Sequence, residues 1–228
     1  MAFPINVAII GSGLSGLSLA LALALALHQQ RIPLTLYERH PSPLNIGGAV
    51  MLSPNALKVL DVVGVYDRVR VKGYNFETLE YKDENGKLLE TYEFGGKKKY
   101  GYRGLRIYRS VLIEELLGML REKGVQVVFG KKFVSVVKET ETEVVWEWED
   151  GSVQSASILV GADGIHSTVR RYLYPDLKPT FTGMAGITAA VLTEQLKLPP
   201  GYHIPVTISH PMLVDLLLLH KKLMDRRC

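Results

Sequence analysis

Cysteine is almost missing: of 228 residues only the last, Cys228, carries a thiol. One thiol excludes an internal disulfide and any disulfide-built scaffold, and it favours a reducing compartment. Charge is missing from the whole of residues 1–30. Within that stretch Val7 to Leu27 is long and apolar enough to span a bilayer. No positive side chain precedes it, however, and Gly11, Ser12, Gly13, Ser15 and Gly16 interrupt its start. We expect a buried segment of a cytoplasmic protein; membrane association through the uncharged stretch is the alternative. No zinc, phosphate-loop or Ser-His-Asp pattern occurs, and His166 has no partner at metal-ligand spacing. Neither a metal site nor a catalytic residue can be named on this basis.

The composition is that of a globular protein. Hydrophobic residues make up 47% and charged ones 22%, which excludes a disordered tail or a collagen-like rod. Lys and Arg number 27 against 23 Asp and Glu, a net charge of +4. The only run of three basic residues is Lys97-Lys98-Lys99, and Lys221, Lys222, Arg226 and Arg227 crowd the end; neither stretch has interleaved aromatics, so nucleic acid is not expected as a partner.

Ile5 to Ile10 is a short apolar run, as expected of a strand buried on both faces. Gly11 to Gly16 breaks it. Leu and Ala then alternate from Leu19 to Leu27; the period suggests a strand, but unbranched Leu and Ala favour a buried helix over Leu14–Gln29. A second strand over Leu34–Glu38 completes a βαβ unit. Ser53-Pro54 reads as a helix cap followed by proline at the first helical position, with Gly64 as the stop. Residues 71–108 read as irregular strands with a hairpin turn at Glu84-Asn85-Gly86. Ser110 reads as the cap of a helix with Glu114 and Glu115 in its first turn and Gly124 ending it. Strands follow over Val125–Phe129, Phe133–Lys138, Glu143–Trp148 and Ile158–Val160. Trp146 and Trp148 fall on one face by period two, where core is a commoner fate than a stacking platform. Prolines gather between Pro175 and Pro211, placing a boundary near 175. The Met212–Cys228 tail shows no obvious partner element.

Gly11-Ser12-Gly13-Leu14-Ser15-Gly16 follows a strand and opens a helix, the context in which this pattern binds a dinucleotide. The first glycine permits the tight turn, the second lets a diphosphate approach the backbone, and the third lets helix pack on strand. The N–H groups of the helix N-terminus favour phosphate. Glu38, 22 residues after Gly16, is placed to accept from a ribose hydroxyl and would repel a 2′-phosphate, favouring FAD or NAD over NADP as the bound dinucleotide.

Four stretches together resemble the FAD-dependent aromatic-ring monooxygenases of the para-hydroxybenzoate and salicylate hydroxylase type. They are the glycine turn with Tyr37-Glu38-Arg39, Gly47-Gly48-Ala49-Val50 leading to Ser53-Pro54-Asn55, Leu105 to Leu112, and Gly161-Ala162-Asp163-Gly164 through Arg170. The last is the family's Asp-Gly motif. The resemblance implies an α/β fold: a Rossmann-like FAD-binding domain with a mixed β-sheet over 1–174, carrying inserted strands at 71–108. The start of a β-rich substrate domain would follow over 175–228. It implies FAD as cofactor, NAD(P)H as co-substrate, and an aromatic or similar small organic substrate hydroxylated with O2. By the same resemblance Gly11, Gly13, Leu14, Ser15, Gly16, Glu38 and Arg39 hold the ADP half of FAD. Ala49 lies in a loop approaching the flavin, and Arg109 contacts the cofactor. Asp163 and Gly164 support FAD, while Arg170 serves the phosphates of the nicotinamide cofactor.

The sequence departs from the family pattern in having no Gly-Asp dipeptide, where the family carries a second flavin signature of Gly-Asp-Ala type. With the leucine-then-basic end, this leads to the expectation of a C-terminally truncated member with impaired activity. A dinucleotide-binding protein without catalysis is the alternative. A plain NAD-dependent dehydrogenase is disfavoured by the Asp-Gly motif and the lack of an evident acid-base set.

Overall fold

The computed structural model describes residues 5–27, 32–43 and 48–183, and beyond them 195, 197, 200, 202, 205–210 and 213–218. The chain forms two compact units, the first from Met1–Asn45 with Ile113–Gly186, the second from Ile46–Leu112 with Ile187–Cys228.

In the first unit β1 (Val7–Ile10), α1 (Leu14–Leu27) and β2 (Leu34–Glu38) form the expected βαβ unit. Later come β8 (Gln126–Phe129), β9 (Phe133–Glu139), β10 (Val144–Trp148), β11 (Val153–Ala156), β12 (Ile158–Gly161) and α6 (Thr168–Leu173). Residues 28 and 29, the end of the expected first helix, lie outside the described residues. A parallel sheet runs in the order β12-β1-β2-β8, which in chain order is the 3-2-1-4 arrangement of a dinucleotide-binding fold. All four residues of β1 are buried, which is why its sequence is apolar on both sides. Ala8 and Ile10 belong to a core with Tyr37, Phe133, Trp146, Trp148, Ala156 and Val169, so the antiparallel meander β11-β10-β9 supplies much of this packing. The tryptophans are core: Trp148 lies 4.8 Å from the Tyr37 ring, and its Nε1 donates to Gln154 Oε1 at 3.2 Å. Gln154 in turn donates to the Tyr37 hydroxyl.

The second unit contains β3 (Ala49–Leu52), α2 (Pro54–Val62), α3 (Tyr66–Val69), β4 (Tyr74–Phe76), β5 (Thr78–Lys82) and β6 (Leu88–Glu93). It continues with α4 (Lys97–Tyr100), β7 (Gly104–Tyr108), β13 (Val206–His210) and β14 (Leu213–Leu218). One sheet has the order β3-β7-β4 and the other β14-β13-β5-β6. Helix α5 (Arg109–Glu122) carries the chain from this unit into the first.

The hairpin turn forms as expected: Gly86 has φ +81°, and Asp83 Oδ1 accepts from the N–H of Asn85 at 3.0 Å and of Lys87 at 2.8 Å. Gly64 and Gly124 end their helices with positive φ. Other local expectations are corrected. Ser53 has the extended backbone of a cap, but its hydroxyl bonds the Asn55 side chain instead of an N–H of the helix. Ser110 lies inside α5, because β7 runs directly into the helix at Arg109; Glu114 and Glu115 are consequently beyond its first turn. The tail does find a partner, since β14 pairs antiparallel with β13, which itself pairs parallel with β5.

Candidate functional site

The glycine turn separates structural need from ligand need. Gly11 has φ +104°, and a Cβ built there would lie 2.4 Å from the carbonyl oxygen of Ala162. A Cβ on Gly16 would lie 1.9 Å from the carbonyl oxygen of Gly11. Chain packing alone therefore demands glycine at both. Gly13 is different: a Cβ there would meet nothing within 4 Å. Among the described residues no atom explains this glycine, and in the dinucleotide fingerprint the space beside the second glycine is kept clear for a diphosphate. The turn lies at the carboxyl ends of β1 and β12, where the sheet order reverses and ligands bind in folds of this kind. Ala162 N–H donates to Ile10 O at 2.7 Å, tying the two strand ends together. Leu14 begins α1 and Ser15 is exposed beside it; the N–H groups of a helix's first turn have no acceptor within the helix and favour an anion.

Glu38 ends β2 half-buried. Its Oε2 accepts from the Ser12 N–H at 2.9 Å and the Ser12 hydroxyl at 2.7 Å, while Oε1 accepts from the His40 N–H at 3.0 Å. Burial pushes the carboxyl up, but the His40 N–H and the Ser12 hydroxyl and N–H outweigh it, and the acid is held below its ordinary range. A carboxylate offers about four acceptor sites, so one on Oε1 remains for a ribose hydroxyl. Ser12, an unremarked position within the fingerprint, thus locks the acid to the turn. A hydroxyl between the first two glycines was the available sequence signal. Arg39 is exposed, and its Nε donates to His40 Nε2 at 3.1 Å.

In the Asp-Gly motif, Asp163 is occupied by its own chain. Its Oδ1 accepts from the Ser167 hydroxyl, and Oδ2 accepts from the N–H of Thr168 at 2.6 Å and of Val169 at 3.4 Å. Ser167 caps α6 by accepting from the Arg170 N–H at 2.9 Å. The motif is a double cap that pins α6 behind β12, with Gly164 (φ +86°) making the turn. Arg170 donates from Nη2 to the Ile165 carbonyl, and its buried Nε has no partner. His166 is exposed, and among the described residues no cluster of His, Cys, Asp or Glu could hold a metal.

Two further motif stretches meet in the second unit. Ala49 opens β3 instead of lying in a loop, and it pairs with Tyr108 at the end of β7. The next residue, Arg109, donates its backbone N–H to Gly48 O at 3.2 Å, and the residue is exposed. Gly47 lies outside the described residues.

An open cradle at Gly13, an acid at the end of β2 and the 3-2-1-4 sheet fit an adenine dinucleotide. The family profile described as FAD binding domain matches residues 4–209. The chain belongs to that family. Its relatives include 3-amino-4-hydroxybenzoate 2-monooxygenase of Streptomyces cremeus, 27% identical over 88% of this chain and 52% of the relative. A 6-methylsalicylate 1-monooxygenase of Aspergillus terreus is 30% identical over 78% of this chain and 42% of its own length. Among solved structures, Klebsiella pneumoniae HpxO complexed with FAD and uric acid is similar with TM-score 0.61 and 27% identity. That match covers 74% of this chain and 42% of the other. The chain thus spans about half or less of the length of these relatives.

Proposed function

We propose that this chain supplies the FAD-binding part of a monooxygenase that consumes NAD(P)H and O2 to hydroxylate an aromatic or similar small organic substrate. The observation that carries the reading is Gly13, a glycine that no neighbouring protein atom requires, at the switch point of a dinucleotide-type sheet. The names of the relatives support the reaction class. Bound FAD would supply the redox chemistry, and the protein supplies its orientation and a dry surrounding. Gly13, Leu14, Ser15 and Gly16 bring backbone N–H groups to the diphosphate, while Gly11, whose N–H donates to the Tyr37 carbonyl at 2.8 Å, makes the turn that places them. Glu38 takes a ribose hydroxyl, with Arg39 at the rim. Ala49 and Arg109 offer the flavin side a close backbone and a guanidinium. Asp163 and Gly164 set the turn in front of α6, and Arg170 is a candidate for the nicotinamide cofactor's phosphates. In functional terms residues 1–174 serve the cofactor and 175–228 begin the substrate-binding part; the pairing of β13 with β5 supports joining the 71–108 strands to the latter. We assign the protein to the cytoplasm.

Flavin absorbance of the purified protein tests the cofactor assignment. NAD(P)H consumption with a panel of phenols and benzoates then tests turnover. Protein that carries no flavin, even after incubation with FAD, would refute the reading.

A further inference from the structure

A cation taken out of water is ordinarily met by a carboxylate or by carbonyl oxygens, because a desolvated charge left alone is costly. Arg106 is not so met. It stands on β7, the central strand of the β3-β7-β4 sheet, and its Nε is shielded from solvent with no hydrogen-bond partner. Its side chain makes no hydrogen bond or ion pair with any described residue. Other arginines of the same unit are paired at the surface, Arg70 with Asp67 at 2.7 Å and Arg103 with Glu77 at 3.4 Å. Exposed pairs of that kind stabilise little. Among the described residues, half-buried Arg106 has no such partner. Burial pulls its guanidinium below the ordinary arginine value, and only the neighbouring Tyr108 opposes this.

The register shows what surrounds it. Arg106 lies opposite Met51 of β3 and Tyr74 of β4, and Ala49 lies opposite Tyr108. Directly opposed residues share a face, so Ala49, Met51, Tyr74, Arg106 and Tyr108 form one surface. All five are partly exposed. The alternate residues Leu105 and Ile107 are fully buried on the other face. An unpaired guanidinium is therefore flanked by a thioether and two phenol rings, on the face that carries the motif residue Ala49. A planar fork suits a carboxylate bidentately, and the apolar flanks suit an aromatic ring.

We propose that Arg106 is a substrate-recognition residue, its guanidinium receiving the carboxylate of an aromatic acid whose ring lies against Met51 and Tyr74. This rests on the aromatic-monooxygenase reading and narrows its substrate class. A purely structural arginine would be bonded to the protein that buries it. A functional one is kept unpaired at some cost to stability until the ligand arrives.

The test compares salicylate with its uncharged analogue salicylamide by calorimetry, on the full chain with and without added FAD. The expected preference for salicylate is tenfold or more, since a hydrogen bond to a charged group is worth at least that factor. Arg106→Met should abolish the preference while leaving the melting temperature unchanged or raised, and Arg106→Lys should keep part of it. If the Met variant does not fold, Arg106→Gln serves as the neutral replacement. Equal affinity for the two probes in the parent, or a preference that survives the neutral variant, would overturn the proposal. FAD retention is read separately by absorbance in the same samples. A parent that discriminates the probes but holds no flavin would count against the cofactor reading and not against Arg106.

Discussion

At the scale of single residues, the three glycines of one turn have different obligations, and substitution separates them. Gly13→Val fills space that the protein leaves empty, so the fold should persist while FAD retention is lost. Gly16→Ala forces a Cβ into the Gly11 carbonyl and should destabilise the first unit itself, by about 1–3 kcal/mol as an overpacked site does. Melting temperature and bound flavin measured on both variants distinguish the two; equal flavin in Gly13→Val and parent would remove Gly13 from the site. Glu38 makes a second, pH-dependent prediction. Its carboxyl is held below the ordinary value by Ser12 and His40, so its stabilisation is complete above that value and is lost as pH falls through the depressed one. The stability gap between the parent and Glu38→Gln should therefore be constant near neutrality and shrink below roughly pH 4. A gap that widens with acid would contradict the assigned hydrogen bonds.

Elements add a different kind of argument, since several motif residues act by shaping a helix or a strand end. Asp163 spends both carboxylate oxygens on Ser167, Thr168 and Val169, and so holds the start of α6. Its effect on a cofactor then passes through the turn it builds. Asp163→Ala should cost stability of about 1–2 kcal/mol, the range for a lost helix cap, and flavin affinity should fall along with it. Flavin loss with an unchanged melting temperature would make Asp163 a direct ligand instead. Arg109 was expected ahead of a capped helix, yet β7 passes into α5 without a cap at Ser110. The register of β3 against β7 nevertheless sets the backbone of Arg109 beside Gly48 and Ala49, which are in the same resemblance stretch.

For the whole molecule, the relatives' roughly twofold greater length makes turnover a property to be measured and not assumed. Purified protein loaded with FAD should oxidise NAD(P)H faster when an aromatic acid is present than when it is absent. An unchanged rate across the panel would leave a nucleotide-binding protein without demonstrated turnover. Among the described residues no helix is long and apolar enough to cross a membrane. Packing accounts for part of the apolar start: β1 is buried throughout, and Leu17, Ala20 and Leu21 of α1 are inaccessible to solvent, but Leu25 is exposed, so the helix expected to be buried is buried over its first half and not its second.

What the sequence determined by itself was whatever depends on neighbours in the chain. The β1-turn-α1-β2 unit, the Asn85-Gly86 hairpin and the glycine helix stops were all legible, because local backbone preference and short-range periodicity decide them. The tryptophan pair was legible as core for the same reason, as period two places Trp146 and Trp148 on one face. The four motif stretches also pointed to the FAD-binding family in advance. Tertiary structure decided the rest. Which glycine the packing requires became visible only when Ala162, just past the end of β12, closed on Gly11 and left Gly13 open. The Ser12–Glu38 clamp joins residues 26 apart in sequence, and the pairing of Ala49 with Tyr108 spans a longer interval still. The unpaired state of Arg106 is likewise invisible in sequence, where an arginine on a strand looks like surface charge. Such facts depend on which groups from distant segments share a face, and no local preference encodes that.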